Sequence, residues 1–346
     1  MPVRGICGHR GASDTHPENT LAAFRQAIVL GAQMIEFDVA LTTDSRLVLL
    51  HDATLDRTTS GSGPVANITF DDLRKLDAGS WKDKQFKAER VPTLQEALDI
   101  MPENIWLNVH LKGGAELAKK TAVVIAESQR LHQCFLACGS AAAAAARTAV
   151  PEIRICNMER QANSQQYVDE TIAAQADFIQ LYGGAGVSAA HTKQLHGAAV
   201  RINYCCANDA EKVAALFARG VEFPLVDKLS DMLKVADAQG IERLTPVYRS
   251  RADNTDTKAK PVFVDGEAQV VPAFKDPKPG EARDAMMAAI AFRRLKAVYA
   301  FDDDINIFDD REAMWAIATR VQWHRDLMKL DGLTLAPLDP SAPATG

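Results

Sequence analysis

Short apolar runs recur along the first two thirds of the chain. Each is closed by glycine, proline or a polar residue, and most are followed by a stretch whose apolar positions repeat with helical period. The first run, residues 3–7, stops at Gly8 and reads as a buried strand with His9 just beyond its end. Leu21, Phe24, Ala27 and Ile28 fall on one helical face; Asn19 or Thr20 caps that helix and Gly31 ends it. Residues 34–39 form the next strand. Residues 47–50 form a third, too close behind it for a helical crossover, so Thr42-Thr43-Asp44-Ser45 reads as a tight hairpin. With Asp44 and Ser45 as its loop residues, Asp38 stands directly opposite His51. Later strands are expected at residues 105–110, 134–137, 154–156, 178–181, 200–205 and 224–227. Helices at 115–130, 141–146, 165–174 and 210–218 lie between them, and Thr93-Leu94-Gln95-Glu96 is a capping box opening another.

With the hairpin arm set aside, eight strands joined by long connections imply an α/β fold, a TIM (β/α)8 barrel whose ligand site lies at the C-terminal ends of its strands. Residues 53–90 lack a long periodic segment and carry Gly61, Gly63, Pro64 and Gly79; they read as a turn-rich stretch with a short helix at 70–76. From 248 to 280 the composition shifts to Asp, Asn, Lys and Pro around a short β-like patch within 261–274. A helix at 281–295, a strand at 296–301 and a helix opened by Asp309 and Glu312 then make a C-terminal α/β extension. The expected organisation is a barrel over 1–240, a linker over 241–280 and the extension over 281–346.

A chain of 346 residues has room for such a barrel and something more. The net charge of −6 gives no reason to expect nucleic acid or an anionic membrane as partner. No apolar run is long enough to span a bilayer, and Met1-Pro2-Val3-Arg4 leads straight into a strand, so no signal peptide is expected. The six cysteines are scattered and lack zinc-site spacing; Cys134 and Cys138 read as buried packing. A reducing cytoplasm is the simplest location.

Candidate chemistry concentrates between Cys7 and Asp52. His9-Arg10 and His51-Asp52 bracket Glu36-Phe37-Asp38, and the two acidic side chains, two residues apart on a strand, share a face. Carboxylates suit hard divalent cations, histidine moves protons near neutral pH and arginine matches phosphate oxygens. Together they fit metal-assisted cleavage of a phosphate ester. Asp302-Asp303-Asp304 lacks the glycine and closing glutamate of a calcium loop and reads as a solvated turn.

The stretch resembles the glycerophosphodiester phosphodiesterase family of TIM barrels over residues 3 to about 235. The resemblance rests on Gly8-His9-Arg10-Gly11, Pro17-Glu18-Asn19-Thr20, Glu36-Phe37-Asp38-Val39, His51-Asp52, Leu55-Asp56-Arg57-Thr58-Thr59, Gly79-Ser80-Trp81 and Val91-Pro92-Thr93-Leu94. It implies His9 and His51 as the acid/base pair, Arg10 as a phosphate ligand, and Glu36 and Asp38 as ligands of Mg²⁺, Ca²⁺ or Mn²⁺. It also implies that residues 53–90 are a small inserted lobe that accepts the glycerol moiety, with Trp81 either lining that pocket or anchoring local packing. Where the family pattern has Glu-x-Lys, this chain has His110-Leu111-Lys112: His110 takes the place of a third carboxylate ligand and Lys112 stays available to phosphate. Where the family has Trp-Thr-Val-Asn, this chain has Cys205-Cys206-Ala207-Asn208.

The tail resembles the C-terminal segment of UbiD-like, prenylated-flavin-dependent decarboxylases over about residues 280–341, through Asp302-Asp303-Asp304-Ile305, Trp315-Ala316-Ile317-Ala318-Thr319-Arg320, Arg325-Asp326 and Leu338-Asp339-Pro340-Ser341. That segment implies an interaction module, with residues 281–341 binding a decarboxylase-like subunit or a second copy, and no second active site. Two functions follow as expectations. The first is metal-dependent hydrolysis of a small-molecule glycerophosphodiester to an alcohol and glycerol phosphate. The second is a catalytically reduced barrel serving as accessory or scaffold subunit of a decarboxylase complex.

Overall fold

The computed structural model describes residues 1–183 and 187–248, together with the backbone of two later strands, Gln269–Phe274 and Val298–Asp302. The chain divides into two compact units, Met1–Ser250 and Arg251–Gly346.

The first unit is a closed barrel. Its strands are β1 (Cys7–His9), β2 (Met34–Leu41), β4 (Trp106–Leu111), β5 (Cys134–Cys138), β6 (Arg154–Asn157), β7 (Phe178–Tyr182), β8 (Arg201–Cys205) and β9 (Phe223–Val226); β3 (Leu47–Leu49) is antiparallel to β2. The eight barrel strands pair in parallel in chain order, and β1 closes the ring by pairing with both β2 and β9. Two of the surrounding helices, at Ala189–Gly197 and Leu229–Ala238, go beyond those expected from periodicity; the first buries only Thr192 and Leu195 on its inner face, which leaves a faint stripe.

Thr20 caps the helix at Leu21–Val29, and Thr93 with Glu96 makes the expected capping box at Leu94–Ile100. The large apolar cluster lies between strands and helices, as the barrel fold requires. A second cluster fills the barrel's interior, where Phe135 and Phe178 stack with ring centroids 3.9 Å apart and Trp106 meets Phe178 edge-on at 5.2 Å. Burying each phenyl ring stabilises the barrel by about 2–3 kcal/mol.

Two local expectations are corrected. The first strand is Cys7–His9 rather than residues 3–7: Val3 is exposed and outside the strand, and Gly8 lies within it, where a Cβ would stand 3.0 Å from the Gly11 carbonyl oxygen. The hairpin register is also shifted by one. Val39 pairs with Leu49 and Leu41 with Leu47, so the loop holds Thr43, Asp44 and Ser45, with Ser45 left-handed at φ 63°. This is a three-residue loop closed by an αL residue, and it places Leu50, not His51, beside Asp38.

In the second unit the strand expected at 296–301 is present as β11 (Val298–Asp302) and is not alone: β10 (Gln269–Phe274) pairs with it in parallel. The helix expected at 281–295, the turn after Asp302 and the helix carrying Met314, Trp315 and Ile317 lie outside the described residues. Among the described residues, no helix is long and apolar enough to cross a membrane.

Candidate active site

Strand register assembles the site. His9 lies level with Glu36, Glu36 with Asn108, and Asp38 with His110, all at the C-terminal ends of β1, β2 and β4. Beyond β1 the backbone turns sharply. Arg10 takes a left-handed conformation at φ 58°, rare for a residue with a Cβ, and donates its backbone N–H to Glu36 Oε2 at 3.0 Å. Gly11, at φ 85°, packs against Ala23 so closely that a Cβ would stand 2.8 Å from its carbonyl carbon. Asn19, also left-handed, clamps Asp38: its amide donates to Oδ2 at 2.9 Å and its carbonyl accepts the Asp38 N–H at 3.1 Å.

The charges interlock. Asp38 is fully buried, with Arg10 Nε 3.3 Å from Oδ2, and Lys112 Nζ and His110 Nδ1 3.1 and 3.2 Å from Oδ1. Burial alone would push its carboxyl up; His110, Lys112 and Arg10 outweigh burial and hold it well below the usual range. Burial likewise pulls His110 down, but its contacts with Asp38 and Glu36 outweigh that and raise its pKa. His9 follows the same logic. Burial favours the neutral ring, yet the bond from Nδ1 to Asp227 Oδ1 at 2.7 Å, with the charge of Glu36, leaves its pKa above the ordinary value. The His9 bond in turn lowers Asp227, whose other oxygen accepts from the Asn208 amide at 2.6 Å.

A second arm comes from the lobe. His51 Nδ1 pairs with Asp52 Oδ1 at 2.7 Å, Arg57 forks onto Asp52 and Glu18, and Glu18 reaches Arg10 Nη1 at 2.8 Å. His51 is thus tied to the barrel cluster through Asp52, Arg57, Glu18 and Arg10 rather than by facing Asp38 across a hairpin. The Arg57 bond holds the Asp52 carboxyl well below its usual value. At Glu18 burial works upward, and Arg57 and Arg10 together win.

The structure brings together His9, Arg10, Glu36, Asp38, His110 and Lys112, as the sequence suggested. Trp81 sits in the lobe, part-exposed; its indole N–H donates to the Ala78 carbonyl at 2.9 Å and Lys82 lies over its ring. Four participants carried no role in the sequence reading: Glu18, Asn19 as a clamp, Arg57 and Asp227. Three of them stand in the quoted motifs, but an ion pair between Glu18 and Arg57, or a bond from Asp227 back to His9 218 residues earlier, is invisible to spacing.

Glu36, Asp38 and His110 offer ligand atoms within 4.8 Å of one another. Asp38 Oδ1 is buried and accepts no well-directed hydrogen bond, which leaves a lone pair for a cation. Two carboxylates with one imidazole suit Mn²⁺, and the oxygens alone suit Mg²⁺ or Ca²⁺, so these residues fit a divalent cation.

The fold is a TIM barrel with a cluster of histidines, carboxylates, Arg10 and Lys112 gathered at the C-terminal ends of its strands. Residues 9–266 match the glycerophosphoryl diester phosphodiesterase family, and the chain belongs to that family. Residues 266–346 match the 3-octaprenyl-4-hydroxybenzoate carboxy-lyase C-terminal domain. A glycerophosphodiester phosphodiesterase of Caldanaerobacter subterraneus is 46% identical over 113 residues, 32% of this chain and 46% of that protein. A mouse relative, glycerophosphodiester phosphodiesterase 1, is 45% identical over 113 residues, 32% of this chain and 34% of its own. The chain thus spans less than half the length of these curated relatives. Among solved structures, a glycerophosphodiester phosphodiesterase of Agrobacterium tumefaciens superposes with TM-score 0.59 at 25% identity, covering 68% of this chain and 100% of that one. A phosphodiesterase of Oleispira antarctica, solved with the product sn-glycerol-3-phosphate, gives 0.60 at 25% identity, over 67% and 96% of the two chains.

Proposed function

We propose that the barrel hydrolyses glycerophosphodiesters to an alcohol and glycerol phosphate with a divalent cation. The observation that carries this reading is the strand register that sets His9 beside Glu36 and Asp38 beside His110, within a family of that chemistry. Glu36, Asp38 and His110 are the residues to hold the cation, which when bound offsets phosphate charge and makes a coordinated hydroxyl more acidic. Arg10 and Lys112 offer donors to the phosphate oxygens. His9, kept protonated further up the pH scale by Asp227 and Glu36, gives a proton to the departing alcohol oxygen. His51, oriented by Asp52 and through it by Arg57, takes the proton from the attacking hydroxyl. The scaffold alternative draws only on the match of residues 266–346 to a decarboxylase C-terminal domain, and the assembled histidine and carboxylate cluster of the barrel favours the hydrolase reading.

The test is incubation of the full chain, stripped by chelator, with glycerophosphocholine and restored Mg²⁺, Ca²⁺ or Mn²⁺, following glycerol phosphate release. Release that depends on added cation supports the reading, and no release with any of the three refutes it.

Asp227→Asn is expected to shift the pH–rate profile. The largest upward influence on His9 is lost, burial then dominates, and the His9 pKa falls. Because His9 must be protonated to act as acid, the alkaline limb moves to lower pH. An alkaline limb that stays in place would remove His9 from the proton-donor role.

His110→Glu is expected to tighten activation by Mg²⁺ or Ca²⁺ about tenfold, since a third carboxylate replaces a softer nitrogen. Cation titrations of the initial rate measure it. Unchanged half-saturation would place His110 outside the ligand set.

A further inference from the structure

We infer that His9, Cys205 and Cys206 form a second cation site of soft character, opened only when the Cys205–Cys206 disulfide is reduced. The two cysteines are adjacent at the end of β8 and bonded to each other. A ring nitrogen of His9 and the two sulfurs lie within 4.8 Å of one another. Both cysteines are part-exposed and pack onto the barrel's inner apolar cluster, so their sulfurs reach the mouth rather than the outer helices. Asn203, two residues earlier on the same face of β8, is fully buried with neither its amide nitrogen nor its oxygen bonded, so unpaired polar atoms lie next to the pair on the barrel's inner face.

The donor chemistry differs from that at Glu36, Asp38 and His110. Two thiolates and an imidazole select thiophilic cations such as Zn²⁺ or Cd²⁺ over Mg²⁺ and Ca²⁺. His9 already has the support a metal-bound histidine needs: its Nδ1 is taken by the Asp227 carboxylate, which leaves Nε2 with the free lone pair. As a disulfide the sulfurs supply no thiolate. A dithiol reductant opens the site by exchange: its two S–H groups become one S–S bond, the Cys205–Cys206 bond breaks, and two cysteine thiols form. Binding of M²⁺ then releases to solvent the two thiol protons and any proton held on His9 Nε2. The other four cysteines, Cys7, Cys134, Cys138 and Cys156, are buried, and burial pushes each thiol pKa up, so they do not compete as ligands. A cation on His9 would also remove it from proton transfer. That consequence rests on the acid/base reading above; the binding itself does not.

The test is titration of the full chain with Cd²⁺ alone, reduced and oxidised, reading the ultraviolet thiolate-to-Cd²⁺ charge-transfer band and bound cation per chain. The reduced chain is expected to gain the band and to bind one Cd²⁺ more per chain than the oxidised chain, which needs no substitution, keeps the fold and shows no band. Cys205→Ser with Cys206→Ser should abolish the band in reduced protein, and His9→Ala should weaken binding at least tenfold. Equal Cd²⁺ binding by reduced and oxidised protein, no band on reduction, or a band that survives the double serine variant overturns the inference. Because no arm measures turnover, its failure is separate from failure of the phosphodiesterase reading.

Discussion

Asp38→Asn is expected to lower kcat/KM for glycerophosphodiester cleavage about a thousandfold, the equivalent of about 4 kcal/mol of lost charge stabilisation. The substitution keeps shape and removes charge. Three cationic groups lose one carboxylate partner at once: Arg10, Lys112 and His110 all stand within 3.3 Å of it, with Glu18 left to Arg10 and Glu36 left to His110. The same variant is therefore expected to cost about 3 kcal/mol of stability, because breaking a buried pair leaves charge uncompensated. The sign of the pH effect follows. The folded pKa of Asp38 lies below its unfolded value, so its contribution is present at and above the ordinary carboxylate range and is lost as pH falls. Asp38→Asn should accordingly flatten the acid side of the stability profile. Glu36→Gln should cut activity comparably with a smaller stability loss, since its firmest tie is the Arg10 N–H. Steady-state kinetics in cation-restored buffer and urea unfolding from neutral pH down through and below the ordinary carboxylate range check both; wild-type turnover in either variant would remove these carboxylates from the site.

His9→Ala is expected to reduce kcat about a thousandfold, within the range that a positioned acid contributes, while KM changes only a few-fold. The leaving group supplies the sharper readout. An alkoxide departs poorly without a proton, whereas a nitrophenolate departs unaided. With a nitrophenyl diester in place of glycerophosphocholine, His9→Ala should recover most of its deficit and His51→Ala should not. The reverse pattern would exchange the two roles; equal recovery by both would deny His9 the acid function.

What was legible in the sequence had short range or strict period. Glu36 and Asp38 share a face because strand side chains alternate, and the Thr93–Glu96 capping box is a local bond, so both were readable from a few residues. The eight strands were countable because each is an apolar run set between polar turns. The hairpin failed by one residue because loop length depends on which residue turns left-handed, and Ser45 carries no strong signal for that. Thr20 and Asn19 were ambiguous for a related reason: either is a good cap, and only the fold assigns one to the helix and the other to Asp38. Asp227 and the Glu18–Arg57 pair were beyond reach, since closure of the barrel, not spacing, brings them to His9 and Arg10. Adjacent Cys205 and Cys206 gave no hint of a bond between them.

The stacked Phe135 and Phe178, with Trp106 at their edge, close the barrel's floor. With the interior filled at that end, the mouth at the strands' C-terminal ends is the doorway to the candidate site. On the proposed reaction, the freed alcohol and the glycerol phosphate must leave by the route the next diester takes in. On that same reading, glycerol phosphate held by Arg10 and Lys112 occupies the place that the phosphate of the next diester would take.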